Sequence, residues 1–184
     1  MEGKTKSNGK PTIKYRILST PIGAMAGGAS EKGIHFLEFL TEDKDRQLKN
    51  LENDLNVTLE EGSGPFLDKL ELQLKEYFEG TLRSFDIPLV LTGTSFQKRV
   101  WEELLKIAFG RTVSYKEQSL RMTGIRSVRA VASANGKNRI AIVVPCHRVI
   151  SSKGKLTGYA GGLWRKKWLL DHEKSFLGEQ IRFL

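Results

Sequence analysis

The chain has 184 residues, 39% of them hydrophobic and 28% charged, and a formal net charge of +9. This length builds one generous core or two small ones in a soluble protein, and no apolar run approaches the roughly 20 residues needed to span a bilayer. The charge is lopsided: residues 1–90 hold 12 basic and 15 acidic side chains, leaving 18 basic and 6 acidic in residues 91–184. Such an excess in one half points to a polyanionic partner, nucleic acid first; a membrane surface fits less well, because no segment joins a basic face to a broad apolar one.

Met1 to Lys10 is basic and polar with no apolar stretch, so residues 1–10 read as a disordered tail and not as a secretory signal. Together with the single cysteine, this suggests a reducing, cytoplasmic setting. Thr12 to Ser19 has strand character, Pro21-Ile22-Gly23 marks a turn, and Gly27-Gly28 and Lys32-Gly33 interrupt the next stretch. Ile34 to Phe39 is a further strand, and Glu42 to Asp54 holds a short helix. Phe66, Leu70, Leu74 and Phe78 recur every four residues, which predicts a helix over Pro65 to Phe78 with Gly80 just past its end. Phe85 to Leu91 reads as extended, with Pro88 at its centre.

The basic half opens with Thr94, a helix cap whose capping-box partner is Gln97. Phe96, Val100, Leu104 and Ile107 form one apolar stripe, ended by Gly110. A second helix runs from Tyr115 to about Met122, a turn falls at Gly124, and a third helix runs from about Ser127 to Asn135 and stops at Gly136. Two helices joined by a tight glycine turn suggest a helix-turn-helix, with Arg121, Arg126, Arg129, Lys137 and Arg139 clustered around it. The small residues Ala130, Ala132, Ser133 and Ala134 suit either close approach to a surface or tight helix packing. Ile140 to Val144 is β-branched and apolar and predicts a strand. A glycine-rich loop from Gly154 to Gly162 precedes a final helix from about Trp164, on which Arg165-Lys166-Lys167 reads as a solvated face.

The only cysteine lies in Pro145-Cys146-His147-Arg148-Val149, at the end of the predicted strand. A single cysteine makes no internal disulfide and no multi-thiolate zinc site, so it is either inert packing or a reactive thiol. The neighbouring His147 favours reactivity, because a thiol becomes a good nucleophile when a base makes its thiolate accessible. Adjacent side chains on an extended backbone point to opposite faces, so His147 would need a sharp turn or a bridging water to serve Cys146. Asp171, Glu173 and Glu179 are candidates to orient the imidazole, and spacing does not choose among them.

These elements, in this order from about Gly93 to Glu173, resemble the methylated-DNA–protein-cysteine methyltransferases, the O6-alkylguanine-DNA alkyltransferases. The resemblance rests on Gly93-Thr94-Ser95-Phe96-Gln97 with Val100-Trp101, Ser114-Tyr115, Arg129-Ala130-Val131 and Asn135-Gly136-Lys137-Asn138. It continues through Pro145-Cys146-His147-Arg148-Val149-Ile150, Gly158-Tyr159-Ala160-Gly161-Gly162-Leu163, Trp168-Leu169-Leu170 and His172-Glu173. It departs at Gln118 and Ser119, where many members carry Leu-Ala, and it is weaker over residues 1–90.

The resemblance implies an α/β (α+β) protein. Residues 11–91 would form a small ribonuclease-H-like α/β domain, and residues 92–184 a mostly helical domain with the helix-turn-helix. It implies DNA repair by one irreversible transfer of an alkyl group from O6-alkylguanine, with O4-alkylthymine as a further possible substrate, to Cys146. His147 would take the thiol proton through a water, Glu173 would orient His147, Tyr115 would assist the leaving guanine, and Asn138 would brace the turn before the cysteine. Arg129 would fill the gap left by a flipped-out base, with Ala130, Ala132, Ser133, Tyr115 and Lys137 along the minor groove of duplex DNA. Pro145, Val149, Tyr159 and Ala160 would line the base pocket. No cofactor and no metal are expected, and the protein is expected to act as a monomer. The rival readings are a non-catalytic lesion-binding relative and a cysteine hydrolase built on Cys146, His147 and Glu173.

Overall fold

The computed structural model describes residues 9–122 and 127–181, with side chains described to residue 177. The expected tail falls largely in residues 1–8, and the turn at Gly124 with Arg126 falls in residues 123–126; these lie outside the described residues.

The N-terminal region is a four-stranded mixed sheet of β1 (Thr12–Leu18), β2 (Met25–Ser30), β3 (Gly33–Phe39) and β4 (Thr58–Glu61) in the order β3-β2-β1-β4. β2 is antiparallel to both neighbours, while β4, reached from β3 through α1 (Lys44–Leu55), pairs with β1 in parallel. Two of these strands depart from the sequence reading. β2 contains the Gly27-Gly28 pair that suggests an interruption, and β4 carries a mostly polar tetrapeptide with little apolar signal. The glycines belong in β2 for steric reasons: a Cβ on Gly28 would lie 2.1 Å from Phe36 Cε1, and one on Gly27 would lie 2.9 Å from Leu70 Cδ2. Large side chains from β3 and α2 (Pro65–Phe78) thus lie flat against a bare backbone.

The sheet is covered on both faces. Ile13, Ala26, Phe36, Leu51 and Val57 form a small cluster under α1. The other face joins a larger core with Leu67, Leu70, Leu74 and Tyr77 of α2, which continues without a break through Trp101, Val131, Val144 and Leu169. The segment at Pro88 is extended as expected but makes only a bridge: Ile34 N–H donates to Pro88 O at 2.9 Å and Val90 N–H to Ile34 O at 2.8 Å.

The C-terminal region contains α3 (Ser95–Leu105), β5 (Val113–Ser114), α4 (Tyr115–Arg121), α5 (Val128–Gly136), β6 (Val149–Ile150) and α6 (Leu163–Ile181). The capping box of Thr94 and Gln97 is present, and Ser114 with Glu117 makes a second one at the start of α4. α3 ends at Leu105, short of Ile107 in the expected stripe, and α5 includes Gly136; both are ordinary shifts of a helix end. Gln118 and Ser119 are buried, and the Gln118 and Asn135 amides pair: Asn135 Nδ2 donates to Gln118 Oε1 at 2.7 Å and Gln118 Nε2 to Asn135 Oδ1 at 3.3 Å. This polar pair, with Trp101 Nε1 donating to Ala134 O at 2.9 Å, locks α4 and α3 onto α5.

The expected strand over Ile140 to Val144 is not formed. Only Ile140 bridges, to Leu37 of β3, and the remainder winds through turns with Ile142 at a φ of 70°. A β-branched residue in the left-handed region is strained by about 1–3 kcal/mol and persists only where the surroundings impose it. Here Ile142 and Val144 are fully buried, and core burial overrides the β preference of the run.

Asn135→Ala should lower the unfolding free energy by about 1–3 kcal/mol, because it leaves Gln118 Oε1 unpaired in the core while Nε2 keeps Val100 O. Adding Gln118→Ala should then cost less than it does alone, as the shared bonds are already lost. Urea unfolding of the two singles and the double tests this; strictly additive losses would refute the pairing.

Candidate active site

The turn 138–146 is stapled by one side chain. Asn138 Nδ2 donates to Val144 O at 2.8 Å, and its Oδ1 accepts from Ile140 N–H at 3.0 Å. The same Nδ2 reaches Cys146 Sγ at 3.2 Å. Cys146 then begins a single 3-10 turn, Cys146–Arg148, so the thiol sits on a tight turn and not at a strand end. The turn sends successive side chains in different directions: Cys146 stays part-exposed, while His147 and Arg148 turn into the core.

Both inward side chains meet Glu173 of α6, which has no exposed surface. His147 Nε2 lies 2.8 Å from Glu173 Oε1. Arg148 Nε lies 3.1 Å and 3.0 Å from the two carboxylate oxygens, and its Nη2 donates to Oε1 at 3.0 Å. Tyr77 Oη donates to Oε1 at 2.9 Å, and Gly110 N–H to Oε2 at 2.7 Å. The structure therefore selects Glu173 among the three candidate acids. Asp171 is exposed and pairs with Lys167, and the Glu179 side chain lies outside the described residues.

Burial alone would raise the Glu173 pKa, but the His147 hydrogen bond and the Arg148 contacts outweigh it and hold it at about 2. Burial pushes His147 below its ordinary value, against the pull of Glu173. The imidazole is thus neutral near pH 7, with its proton on Nε2 facing the carboxylate. Its other nitrogen, Nδ1, is buried and has no hydrogen-bond partner among the described residues. Burial also pushes the Cys146 thiol up, with the Asn138 hydrogen bond and the Lys166 charge opposing it. The resting sulfur is a thiol, and the next residue on the same 3-10 turn is a neutral imidazole.

Tyr115 is brought to the same place by the parallel pairing of β5 with β6, in which Val113 faces Val149 and Ser114 faces Ile150. Its Oη donates to Thr157 O at 3.1 Å. Lys166 Nζ donates to the same carbonyl at 2.7 Å, lies 5.7 Å from the Tyr115 ring and is pulled down to about 8 by burial. Lys166 is fully buried and Arg165 is hydrogen-bonded inward; only Lys167 of the basic trio fits the solvated face read from sequence. Arg139 likewise leaves the expected basic cluster, since it pairs with Glu38 at 3.1 Å and Asp54 at 2.5 Å. Arg121, Arg129, Ser133 and Lys137 remain exposed, with Ala130 and Ala132 half-buried on α5.

Of the expected pocket residues, Tyr159 is half-buried, Ala160 is exposed, and Pro145 and Val149 are buried. Tyr159 Oη is the other buried polar atom lacking a partner among the described residues. Sequence reading missed Arg148, Tyr77 and Lys166. Arg148 stood inside the quoted motif, whereas nothing in the sequence tied Tyr77, 96 residues away, to Glu173. Among the described residues no group of three or more His, Cys, Asp or Glu side chains is placed to hold a metal ion, and no helix is long and apolar enough to cross a membrane.

A basic two-helix unit next to a turn that carries the single cysteine and a His147–Glu173 pair fits a DNA-associated protein. Family models described as 6-O-methylguanine DNA methyltransferase match here, the ribonuclease-like domain over residues 13–91 and the DNA binding domain over residues 95–175. The methylated-DNA–protein-cysteine methyltransferase of Methanosarcina barkeri is 42% identical over 165 residues, 89% of this chain and 98% of that protein. The crystal structure of Mycobacterium tuberculosis O6-methylguanine methyltransferase aligns with a TM-score of 0.76 and 40% identity, covering 89% of this chain and 93% of that one. The structure of M. tuberculosis OGT in complex with DNA aligns with a TM-score of 0.76 and 41% identity, covering 89% and 94%. This chain belongs to the methylated-DNA–protein-cysteine methyltransferase family.

Stability should fall in acid in two steps. The unfolded chain binds a proton at His147 below its ordinary 6.5, which the folded chain resists, so stability declines from there. The Glu173 contribution is fully present above its ordinary 4.5 and is lost as pH falls through about 2. Glu173→Gln should abolish the lower step and cost about 3–5 kcal/mol at neutral pH, because Arg148 is left buried without an anion. Urea unfolding at a series of pH values checks both; an unchanged acid limb in Glu173→Gln would contradict the assignment.

Proposed function

We infer that this protein repairs DNA by direct reversal, moving the alkyl group of O6-alkylguanine onto Cys146 in a single irreversible turnover. The observation that carries the reading is one 3-10 turn bearing both the thiol and a neutral His147 whose buried Nδ1 is unpartnered among the described residues and whose Nε2 is anchored on Glu173. The substrate is duplex DNA with the damaged nucleotide flipped out, since a protein thiol cannot attack the alkyl carbon in line inside a stack.

In the reaction the thiol proton passes through one water to His147 Nδ1. Glu173 stabilises the imidazolium that forms, as the orienting carboxylate of a nucleophile–base–acid set. The sulfur then attacks the alkyl carbon, forming the S–C bond as the C–O6 bond breaks. The electron pair returns to the guanine, and Tyr115, released from Thr157 O, donates a hydrogen bond or proton to the base. Burial raises the Tyr115 pKa, which keeps it in the protonated, donating form. Asn138 holds the sulfur on its turn, and Pro145, Val149, Tyr159 and Ala160 shape the pocket for the base.

DNA is held through the exposed face of α5. Arg129 fills the vacated stack, while Ala130, Ala132, Ser133, Tyr115 and Lys137 lie along the minor groove. The small side chains suit that narrow space, and phosphate contacts supply most of the affinity, which falls steeply with salt. The working unit is a cytoplasmic monomer with a ribonuclease-like portion over residues 11–91 and the DNA-binding, alkyl-accepting portion over residues 92–184. The non-catalytic reading is not favoured, because the complete thiol, base and carboxylate set is present. A hydrolase is disfavoured because a hydrolase needs an oxyanion site, and no glycine-rich oxyanion motif adjoins Cys146.

Intact mass after incubation with duplex containing O6-methylguanine should rise by one methyl per protein, and Cys146→Ala should abolish the gain. Lesion binding without any mass gain would return the non-catalytic reading, and repeated turnover of an ester would favour the hydrolase. Arg129→Ala should slow repair of duplex DNA by about tenfold or more while leaving reaction with free O6-benzylguanine nearly unchanged, because only the duplex has a gap to fill. Equal losses on the two substrates would remove Arg129 from that role.

A further inference from the structure

The glycine-rich loop that carries Tyr159 is gripped at one end by Lys166, which donates to Thr157 O and Gly158 O, and is tied at the other to the N-terminal sheet by one arginine. Arg165, near the start of α6, donates from Nη1 to Gly161 O at 2.9 Å and from Nε to Ile22 O at 2.7 Å. Gly161 belongs to the loop, whereas Ile22 belongs to the turn between β1 and β2. The guanidinium also lies 4.5 Å from the Phe39 ring, at the end of β3, and 4.5 Å from the Trp164 ring.

The corner is shaped around this side chain. Gly23 has a φ of +115°, and a Cβ there would lie 2.9 Å from Arg165 Nη2. A Cβ on Gly161 would lie 2.6 Å from Phe39 Cδ2 and 2.8 Å from Tyr159 Cε1. Phe39 meets Tyr159 edge to face, with ring centroids 6.4 Å apart. Two carbonyls and two rings from separate segments therefore converge on one guanidinium. Its planar fork suits that geometry, and an ammonium could not span both carbonyls while covering a ring.

We propose that Arg165 is a positioning residue that uses the β1–β2 corner and Phe39 of the N-terminal sheet to hold the 157–162 loop, and with it Tyr159, in the geometry that accepts the alkylated base. This rests on the reading of that loop as one wall of the base pocket. It gives the N-terminal region a positioning part in the transfer step. Arg165 acts through the loop and does not touch the reacting atoms.

The test uses the full chain with Arg165→Met, which keeps the apolar stem and removes the donors, and Phe39→Leu, which removes the ring. Transfer is measured with duplex O6-methylguanine and with free O6-benzylguanine. Alkylation of Cys146 by iodoacetamide and affinity for undamaged duplex are measured beside it, since neither needs the base pocket. Arg165→Met should slow both transfers by about tenfold, as expected when a reacting group is displaced by a fraction of an ångström to an ångström. Iodoacetamide alkylation and undamaged-duplex affinity should stay within about twofold of the parent, and the double variant should be no slower than the slower single. Transfer rates within about twofold of the parent in Arg165→Met would overturn the proposal, as would iodoacetamide alkylation changing in step with transfer, which would mean a general loosening. If Arg165→Met fails to fold, Phe39→Leu carries the same comparison: selectively slowed transfer supports the proposal, and parent-like transfer overturns it. A parent protein that transfers no alkyl group at all would instead overturn the assigned reaction, and this proposal with it.

Discussion

Glu173 carries a negative charge with no exposed surface, and much of the architecture around it exists to make that tolerable. An uncompensated carboxylate in a protein interior costs several kcal/mol, so its donors must all be in place at once. They come from α2 through Tyr77, from the α3–β5 loop through Gly110, and from the cysteine turn through His147 and Arg148. Arg148 supplies the countercharge and ties the cluster back to the backbone by donating to Ile107 O at 2.6 Å. One carboxylate thereby fixes the position of the N-terminal helix α2, the end of α3, the final helix and the reactive turn relative to one another. The same interaction sets the tautomer of His147, so the stability of the fold and the chemistry of the site share one contact.

The sulfur end of the site obeys the complementary rule. Cys146 is kept protonated by its surroundings and is poised through geometry, with Asn138 stapling the turn on which it sits. A permanently ionised thiolate would be exposed to oxidants and stray electrophiles. A protonated thiol is spared those side reactions. Strain at Ile142, part of the same turn, is held in place by full burial and belongs to the cost of presenting the sulfur in this way.

Long-range electrostatics are divided along the chain. The basic surplus lies in the C-terminal half, yet several of its members are structural: Arg139 joins the two regions through Glu38 and Asp54, and Arg148, Arg165 and Lys166 are turned inward. The cations left exposed on α4 and α5 are fewer than the net charge suggests. Arg121, Arg129 and Lys137 are among those that stay exposed.

Local signals carried far in this chain. The apolar spacing of α2, the capping box at Thr94, the two-helix unit and the isolated Cys146-His147 pair were all legible, because each is decided within a few residues by propensity, capping or covalent identity. The places where sequence reading failed were those decided by distant partners. Gly27 and Gly28 resemble breakers until Leu70 and Phe36 are laid over them, and Ile140 to Val144 resembles a strand until Asn138 and the core bend it into turns. The basic run at Arg165 and Lys166 looks solvated until two loop carbonyls and the β1–β2 turn are seen to receive it. That the chain offers one thiol next to a histidine, and a two-helix unit before it, followed from residue identity and short-range spacing alone. Which acid serves His147 and which cations are spent inside emerged only on folding, because burial and pairing are properties of neighbours in space and not of neighbours along the chain.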